Sequence, residues 1–524
     1  SNRYCRTICL RLYNGNYRID NIAWVIMLVD VSFPLISILI ALPILAGLAI
    51  PLLFKNSQKY IIHYAILIAL IELFITFYSY GLILSNGSGG EYNFVEGPVK
   101  ILGNFGIDYL AGMDGLSGPL VLITSILTLL VIFGSRDLIE DRKVLYFSMI
   151  FLFQGSIMGV FTQLNMILFY VFWDLVLIPM FLFIGIWGGP RKRYAAMKFF
   201  LFTFVGSVFM LLAFILIYFS VSPHSFNIPE IAGKIPLSLQ IISSVLFFIG
   251  FGVKLPVVPF HSWLPDAHVE APAPISVFLA GLLLKMGGYG FLRFNIGLLP
   301  EASAQYAWIF ILVGIITMFY GAIVAIVQTD IKKMIALTSV SHMGFVLVGA
   351  FTGTIFGISG SVFQMFTHAA AVGLMFMLSG YLHKATGTRN ITVIKGLKFS
   401  SPRLATLLIL GSMAAMCIPI FSSFISEYMV IVGAIQINPI YALIVAVPAI
   451  TVGYFLWMLR RVVMSDPKSN VKKWDLSNVS TIALVLYLVP LVLTLIAPWL
   501  ILDVVNPFST VYAANFRLMS GGAA

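Results

Sequence analysis

Charged side chains are scarce in this sequence. Asp, Glu, Lys and Arg together make up 10% of the 524 residues, whereas 60% are apolar and the mean hydropathy is +1.02. A water-soluble domain carries about 25% charged residues. The deficit excludes an ordinary soluble protein and indicates that most of the chain lies in a lipid bilayer.

Cysteine is also scarce, and nucleotide-binding motifs are absent. Cys5, Cys9 and Cys417 are too few for the four thiolates that an iron–sulfur cluster normally requires, and they form no CxxC pair. The sequence contains neither GxGxxG nor GxxxxGK followed by Ser or Thr, the patterns of dinucleotide folds and P-loops. We therefore expect no cofactor in this chain and no energy taken directly from a nucleotide.

The apolar runs predict fourteen transmembrane helices. About 20 apolar residues cross a bilayer as a helix. Windows of that length place spans near residues 33–54, 61–84, 115–134, 144–163, 165–187, 195–220, 238–259, 274–294, 307–327, 330–350, 357–382, 404–434, 439–463 and 480–504. We predict an all-α polytopic membrane protein.

The net charge of +11 is distributed according to membrane topology. Loops between spans alternate between two faces, and the basic loop residues fall mainly on one of them. That face holds Lys55, Lys59, Arg136, Arg142, Lys143, Arg191, Lys192, Arg193, Lys332, Lys333, Lys384, Arg389, Lys395, Lys398, Arg403, Arg460, Arg461, Lys468, Lys472 and Lys473. The opposite face holds Lys100, Lys234, Arg293 and Arg517. By the positive-inside rule the first face is cytoplasmic or its equivalent, and we expect no nucleic-acid partner.

The N-terminal segment is the exception to this charge bias. Its arginines, Arg3, Arg6, Arg11 and Arg18, fall on the face that otherwise has few basic residues. We interpret residues 1–32 as an N-terminal extension that does not set the orientation; the alternative is that the first span is wrong.

Two segments interrupt their spans with proline and carry an ionisable residue. FGVKLPVVPFHSWLPDAH sets Lys254 ahead of two prolines, and CIPIFSSFISEYM sets Glu427 after Pro419. Corresponding broken helices in two halves of a chain indicate a transport path built from inverted repeats. Beyond the extension, we predict N-terminal helices with an outer loop at 33–143, two five-helix repeats at 144–294 and 307–463, and a C-terminal helix and tail at 480–524.

Ionisable residues within the spans are the candidate functional residues. Each one costs about 2.5 to 3.5 kcal/mol to insert, so each requires a reason. Lys254 adjoins a proline break, which is tolerated at membrane depth only within protein or beside a water-filled cavity. The other candidates are Asp174, Lys285, Glu427, Lys198 and Glu72, the last without a partner that the sequence identifies. For each residue a structural role stays open, either as a carboxylate that joins two helices or as a lysine that extends to the interface.

Four histidines lie in or near the same regions. Histidine titrates closest to neutral pH and can relay protons. His342 and His368, on consecutive spans, are candidate relays, although a purely structural hydrogen bond is the alternative for each. His261 lies beside the first break and is a further candidate. His268 lies near two acids, but no i, i+4 histidine pair accompanies it, so we predict no metal site.

Three segments resemble one family. KLPVVPFHSWLPDAHVEAPAPISVFLAGLLLKMGGYGFLR, from Lys254 to Arg293, resembles the signature of the antiporter-like membrane subunits of respiratory complex I, most closely the M type. QTDIKKMIALTSVSHMGFVLVG, from Gln328, and FGIDYLAGMDGLSGPL, from Phe105, are similar to the same family. The resemblance covers roughly residues 100 to 465. Related chains occur in Mrp-type sodium/proton antiporters.

The resemblance implies a fourteen-helix subunit that translocates protons. On the family pattern, the path is formed by Asp174, Lys254, Lys285, His342, His368 and Glu427. Protons are then expected to pass from Lys254 to Lys285, through the two histidines with His342 first, and on to Glu427. Asp174 departs from the family's usual glutamate, and Ile420, Ser423 and Ser426 stand where relatives tend to have glycines.

The resemblance also implies partners. Electrons are expected to move in other membrane-arm and redox subunits, which hold the quinone, the iron–sulfur clusters and the cofactor of the electron donor. The assembly is expected in an energy-coupling membrane, either a prokaryotic cytoplasmic membrane or a thylakoid. Two alternatives remain open, a subunit of an Mrp-type cation/proton antiporter without a redox partner and a scaffold that only anchors its neighbours.

Overall fold

The computed structural model describes residues 34–55, 58–86, 92–102, 105–466 and 473–519. Within these ranges, thirteen helical stretches are long and apolar enough to cross a bilayer. Two shorter apolar helices, Pro402–Ala415 and Ser423–Ile437, are the halves of one further span. The total of fourteen confirms the predicted polytopic class, and the first span is observed at Leu35–Leu53. The predicted extension at 1–32 lies outside the described residues.

Three spans and a hairpin precede the first repeat. The helices are α1 (Leu35–Leu53), α2 (Ile61–Asn86) and α3 (Ser117–Leu138). Between α2 and α3, the antiparallel strands β1 (Phe94–Leu102) and β2 (Ile107–Met113) pair with Lys100 opposite Asp108. The hairpin lies within the predicted outer loop, so this part of the chain is not helical.

Two units of five spans follow, and the fourth span of each is broken. The first unit contains α4 (Lys143–Thr162), α5 (Met166–Leu175), α6 (Leu177–Trp187), α7 (Lys192–Ser220), α8 (Ile228–Ile231), α9 (Leu237–Lys254), α10 (Trp263–Glu270), α11 (Ala273–Phe278) and α12 (Leu284–Gly290). The second contains α13 (Pro300–Gln305), α14 (Ala307–Ile326), α15 (Ile331–Phe351), α16 (Ile355–Thr386), α17 (Leu397–Ser400), α18 (Pro402–Ala415), α19 (Ser423–Ile437) and α20 (Ala446–Val462). Because five is odd, the second unit starts on the opposite face and the two units are inverted.

Both breaks keep local backbone groups paired. In the first broken span, formed by α9 and α10, the Val253 carbonyl accepts a hydrogen bond from the Trp263 indole at 2.9 Å. In the second, formed by α18 and α19, the Ala414 carbonyl accepts one from the Ser423 hydroxyl at 2.8 Å. Such partners are required because irregular backbone at membrane depth lacks bulk water. Both predicted breaks are observed, and Ser423 closes the second without a glycine.

The central spans are shielded from lipid. The apolar windows of Ala273–Ile296, Ile331–Phe351 and Ile355–Thr386 are 100% buried, compared with 28% for the second span. A helix that is buried all round belongs to the interior of a bundle. The three central spans carry Lys285, His342 and His368, so these side chains lie in the protein core.

The C-terminal region differs from its prediction. The last span, α21 (Asn478–Val485) and α22 (Leu488–Ile496), ends before residue 504, and a separate helix, α23 (Trp499–Met519), follows. The predicted span is too long at its C-terminal end because α23 begins with the apolar sequence WLILDVV, which raises the hydropathy of the window. Helix α23 buries one face, including Val505 and Phe508, against the rest of the chain.

Candidate proton-translocation axis

Lys285 lies in the core in direct contact with His368. Its span contains two π-helical segments, Leu279–Leu283 and Phe291–Ile296, on either side of α12. The lysine Nζ lies 2.6 Å from His368 Nδ1 and also donates to the carbonyl of Ala280. No carboxylate in the described part of the chain forms an ion pair with Lys285. The lysine is therefore held by uncharged acceptors, one of which is a titratable ring.

His342 connects the two histidine-bearing spans to Glu427. Its Nε2 lies 3.4 Å from Glu427 Oε1. Its ring stands nearly perpendicular to that of His368, with centroids 5.3 Å apart. The remaining ring nitrogens, His342 Nδ1 and His368 Nε2, are buried and have no hydrogen-bond partner among the residues that the structure describes. The contacts therefore run from Lys285 through His368 and His342 to Glu427.

This order of the two histidines is the reverse of the predicted one. The predicted order, with His342 first, is taken from the family pattern. In the structure, α16 packs against α11 and the following π segment, which brings His368 to Lys285. Helix α15 packs against α19, which brings His342 to Glu427. Helix packing, which the chain order does not reveal, sets the sequence of contacts.

Hydrogen bonds orient the terminal acid. Glu427 is only 4% exposed, and Gln364 Nε2 donates to its Oε1 at 3.4 Å. The Gln364 oxygen accepts from the Ser426 hydroxyl, which lies 3.0 Å from the hydroxyl of Thr367. Ser426 thus supports Glu427 through Gln364, a contact that a glycine at this position does not provide.

Asp174 and Lys254 form a second, looser cluster. Lys254 is fully buried at the end of α9, where its Nζ donates to the Trp173 carbonyl at 3.4 Å and lies 4.5 Å from the centre of the Trp173 ring. Asp174 is half-buried, and its Oδ2 accepts from the Ser207 hydroxyl at 3.2 Å. The two charges influence each other electrostatically but are not within ion-pair distance.

The remaining candidates lie away from these two clusters. Lys198 forms an ion pair with Asp266 at 2.7 Å, and the His261 ring packs edge-on against Tyr320 at 4.6 Å. Glu72 is fully buried in α2, and within the described part of the chain neither of its carboxylate oxygens has a hydrogen-bond partner. These residues contact neither Lys254 nor Lys285, so their predicted roles gain no support from the geometry.

Sequence reasoning missed a buried ion pair. Arg293 was assigned to a loop, but it is 2% exposed within the eighth span, and its Nη2 lies 2.8 Å from Asp114 Oδ2. Tyr289 and Phe508 flank the guanidinium. The predicted span ended at residue 294 and therefore already contained this arginine, which was the available signal. The pair joins the eighth span to the start of α3 and is a structural clamp.

A polar cavity of about 880 Å³ opens where several basic loops meet. Lys332 was also assigned to a loop, but it is 3% exposed, and its Nζ donates to the Ala271 carbonyl at the cavity wall. Other charged or titratable lining residues are Glu140, Asp141, Arg142, Lys192, Arg193, Glu270, His383 and Arg389. Most of these come from loops that the charge bias assigned to one face, so the structure supports that assignment.

The bundle contains two inverted five-span units, each with a broken fourth span, and a buried series of lysine, histidine and glutamate. These features define the class of antiporter-like transport subunits. The comparison with known families specifies the class further. Residues 164–453 match the family described as NADH:quinone oxidoreductase/Mrp antiporter, transmembrane region. The chain belongs to this family.

Individual relatives agree with that assignment. The chain is 41% identical over 446 residues to NADH-quinone oxidoreductase subunit M of Rickettsia prowazekii, covering 84% of this chain and 90% of the relative. It resembles a chain of respiratory complex I from Thermus thermophilus with a TM-score of 0.83 and 26% identity, covering 92% of this chain and 99% of that one. A chain of the Mrp complex from Dietzia sp. DQ12-45-1b gives a TM-score of 0.82 at 18% identity, covering 94% and 100%, and this likeness concerns the fold alone.

Proposed function

We propose that this chain is the M-type proton-translocating membrane subunit of a complex I-like quinone oxidoreductase. The names of the similar proteins support the redox-linked assembly. The observation that carries the proton-translocating role is the buried series from Lys285 through His368 and His342 to Glu427. In an apolar interior, such a series of titratable groups requires a function because each member is costly to bury.

In this proposal a proton crosses the histidine pair through the two unpartnered ring nitrogens, His368 Nε2 and His342 Nδ1. Protonated Lys285 donates a proton to His368 Nδ1, and the resulting imidazolium releases its other proton from Nε2. One water molecule between the perpendicular rings accepts that proton and passes one to His342 Nδ1, which satisfies both unpartnered nitrogens. His342 Nε2 then donates to the Glu427 carboxylate. After each transfer both rings carry their proton on Nδ1, and loss of that proton to water with uptake of another at Nε2 restores the starting tautomer.

The other cluster controls the charge of Lys254. Lys254 lies beside a broken helix, where water reaches membrane depth. The Asp174 carboxylate attracts the lysine proton, and the strength of that attraction depends on their separation. A change in that distance, driven from a neighbouring subunit, therefore loads or releases the proton that passes towards Lys285. The polar cavity on the basic face supplies protons to the core.

Partner subunits complete the assembly. Since this chain is expected to bind no redox group, quinone reduction, the iron–sulfur clusters and the electron donor's cofactor belong to other chains. The similar solved structures are chains of multi-subunit membrane complexes, which supports membrane partners. We place the complex in an energy-coupling membrane, the prokaryotic cytoplasmic membrane or the thylakoid.

Replacement of one lysine tests the proposal. Lys254→Met removes the charge but keeps an apolar side chain of similar length, and we expect the complex to assemble while proton pumping is lost. Pumping is measured as NADH-driven acidification of inverted membrane vesicles, and assembly by native gel electrophoresis. Lys333→Met, at an exposed position on α15, is the matched control and should pump normally.

Each outcome of this test has a clear meaning. Undiminished pumping in Lys254→Met rules the lysine out of the path. If the purified native complex contains only antiporter subunits and no quinone-site or iron–sulfur subunits, the chain belongs to an Mrp-type exchanger instead.

A further inference from the structure

Three buried side chains meet where the axis ends. A ring nitrogen of His342, the Sγ of Cys417 and a carboxylate oxygen of Glu427 all lie within 4.8 Å of one another. They come from α15, from the break between α18 and α19, and from α19. We propose that this cluster binds a thiophilic divalent cation of the zinc class, with Cys417 as thiolate ligand.

The spacing fits a tetrahedral site. Zinc–nitrogen and zinc–oxygen bonds of about 2.0 to 2.2 Å place two ligands of a tetrahedron about 3.3 to 3.6 Å apart. His342 Nε2 and Glu427 Oε1 are already 3.4 Å apart. The sulfur of Cys417 lies within 4.8 Å of the other two ligand atoms, and a movement on the order of 1 Å brings it to the separation of about 3.6 Å that zinc–sulfur bonds of about 2.3 Å require.

The donor set selects the kind of metal. A thiolate, an imidazole and a carboxylate together suit zinc, cobalt and cadmium, whereas magnesium and calcium prefer oxygen ligands only. Three protein ligands leave one position for water, as in open zinc sites. Gln364, which donates to Glu427 Oε1 at 3.4 Å, supplies an outer contact that orients the carboxylate.

The backbone at Cys417 is unusual for a cysteine. Its φ of +53° lies in the left-handed region that favours glycine. Non-glycine residues persist in such conformations mainly where the surroundings or the function require them. The same geometry provides a useful variant, because Cys417→Gly removes the ligand and relieves the backbone.

Metal binding at this cluster is separate from proton transfer, but it would prevent proton transfer. A cation held by His342 and Glu427 occupies the last two groups of the axis, so neither can accept a proton. The site therefore gives zinc-class metals a way to block the path. The binding itself does not depend on the proposed redox assembly and can be tested on the chain alone.

Cobalt spectroscopy tests the site directly. The full chain with Cys5→Ser and Cys9→Ser, purified in detergent, has Cys417 as its single thiol. On addition of Co²⁺ we expect a near-ultraviolet thiolate-to-cobalt charge-transfer band and tetrahedral visible bands. Adding Cys417→Ser or Cys417→Gly should abolish the thiolate band and weaken cobalt binding at least about tenfold, because even outer-shell changes cost 10- to 100-fold. Circular dichroism confirms that each variant keeps its helix content.

Two results would overturn the site. Absence of a thiolate band in the chain with Cys417 intact excludes a cobalt–cysteine bond. A band that persists in Cys417→Gly assigns the metal to other residues. His342→Gln and Glu427→Gln should each also weaken cobalt binding at least about tenfold, and unchanged binding in both excludes the three-ligand arrangement.

Inhibition by zinc provides the functional readout. In vesicles, we expect Zn²⁺ to inhibit pumping by the native complex, and Cys417→Gly to require at least about tenfold more zinc for the same fractional inhibition of its own zinc-free rate. Equal zinc sensitivity in both would show that metal at this site does not block the path. Pumping by Lys254→Met in the absence of zinc tests the proposed function. The cobalt titration tests the metal site, and its result does not depend on the outcome for Lys254→Met.

Discussion

At one end of the axis, Lys285 lies 2.6 Å from His368, and His342 lies 3.4 Å from Glu427. At the other end, the contacts of the Lys254 ammonium with described residues are a backbone carbonyl and an aromatic ring, and Ser207 donates to Asp174, which does not reach the lysine. The first cluster is linked by side-chain contacts. The second is coupled through space, so the same residue types serve two different purposes.

Under the proposed function, the first cluster conducts the proton and the second controls its release. A contact series passes a proton through fixed neighbours, and removal of one member interrupts it. A through-space pair instead changes its interaction energy continuously with distance, on the scale of about 1 to 4 kcal/mol at 4 Å between water and a protein surface. We therefore expect changes in the Lys285–Glu427 cluster to abolish pumping and changes around Asp174 to adjust its rate.

The largest effect is expected at His368. His368→Phe keeps an aromatic ring but removes both nitrogens, so Lys285 loses its side-chain contact. Because acid–base groups contribute typically 10² to 10⁴ in rate, we expect pumping to fall by at least about 100-fold. The measurement is vesicle acidification normalised to the amount of assembled complex.

His261→Phe is the matched control. His261 packs edge-on against Tyr320, a contact that phenylalanine reproduces. We expect less than about a twofold change in pumping, the size of effect that follows when no acid–base group is lost. A large loss at His261, or none at His368, would show that the contact series is not the conducting path.

Much of this site is readable from the sequence. An ionisable residue beside a proline break indicates Lys254 and Glu427 as candidates, and the cost of inserting a charge into the membrane indicates Lys285. His342 and His368 are candidates because histidine titrates closest to neutral pH. Each of these signals depends on one residue and its neighbours in the sequence, so it can be recognised without the three-dimensional structure. The fourteen spans follow from hydropathy for the same reason.

The contacts between spans were not readable. The order of His368 and His342 depends on which faces of α15 and α16 meet their neighbours. The apolar windows of both spans are 100% buried, so hydropathy does not distinguish one face from another. The same limit hid the Arg293–Asp114 pair, whose members are 179 positions apart. It also hid the approach of Cys417 to His342. Pairings over such distances require the packed structure.

The next largest effect is expected where the two clusters adjoin. A β-carbon on Gly287, two residues beyond Lys285, would lie 2.6 Å from the Leu255 nitrogen, next to Lys254. Gly287→Ala must therefore push the eighth span away from the first break, at a cost of about 1 to 3 kcal/mol. We expect a lower thermal unfolding temperature in detergent and reduced pumping.

Gly453→Ala separates this packing effect from helix propensity. Gly453 lies in α20, and a β-carbon there meets no atom within 4 Å. Alanine in a helix is favoured over glycine by about 1 kcal/mol, so this variant should be slightly more stable and pump normally. Equal behaviour of the two variants would mean that the close approach at Gly287 does not couple the clusters.

A smaller effect is expected at Asp174. Asp174→Asn removes the charge that acts on Lys254 but breaks no ion pair. We expect a loss of about 1 kcal/mol of coupling, or about a fivefold slower pumping rate. Asp174→Glu, which keeps the charge, should remain within about twofold of the unmodified chain. If the asparagine variant is as inactive as His368→Phe, the two clusters are not different in kind.

The smallest effect is expected at Ser207. Its hydroxyl donates to Asp174 Oδ2 at 3.2 Å, a long bond to a half-buried carboxylate, and it also bonds the Phe204 carbonyl in its own helix. Ser207→Ala removes the anchor but leaves the charge, so pumping should change by less than about twofold if Asp174 acts through space. Ser220→Ala, whose hydroxyl bonds only the Ile217 carbonyl among the described residues, is the control on the same helix. An effect of Ser207→Ala as large as that of Asp174→Asn would mean that the hydrogen-bonded position of the carboxylate, and not its charge alone, sets the state of Lys254.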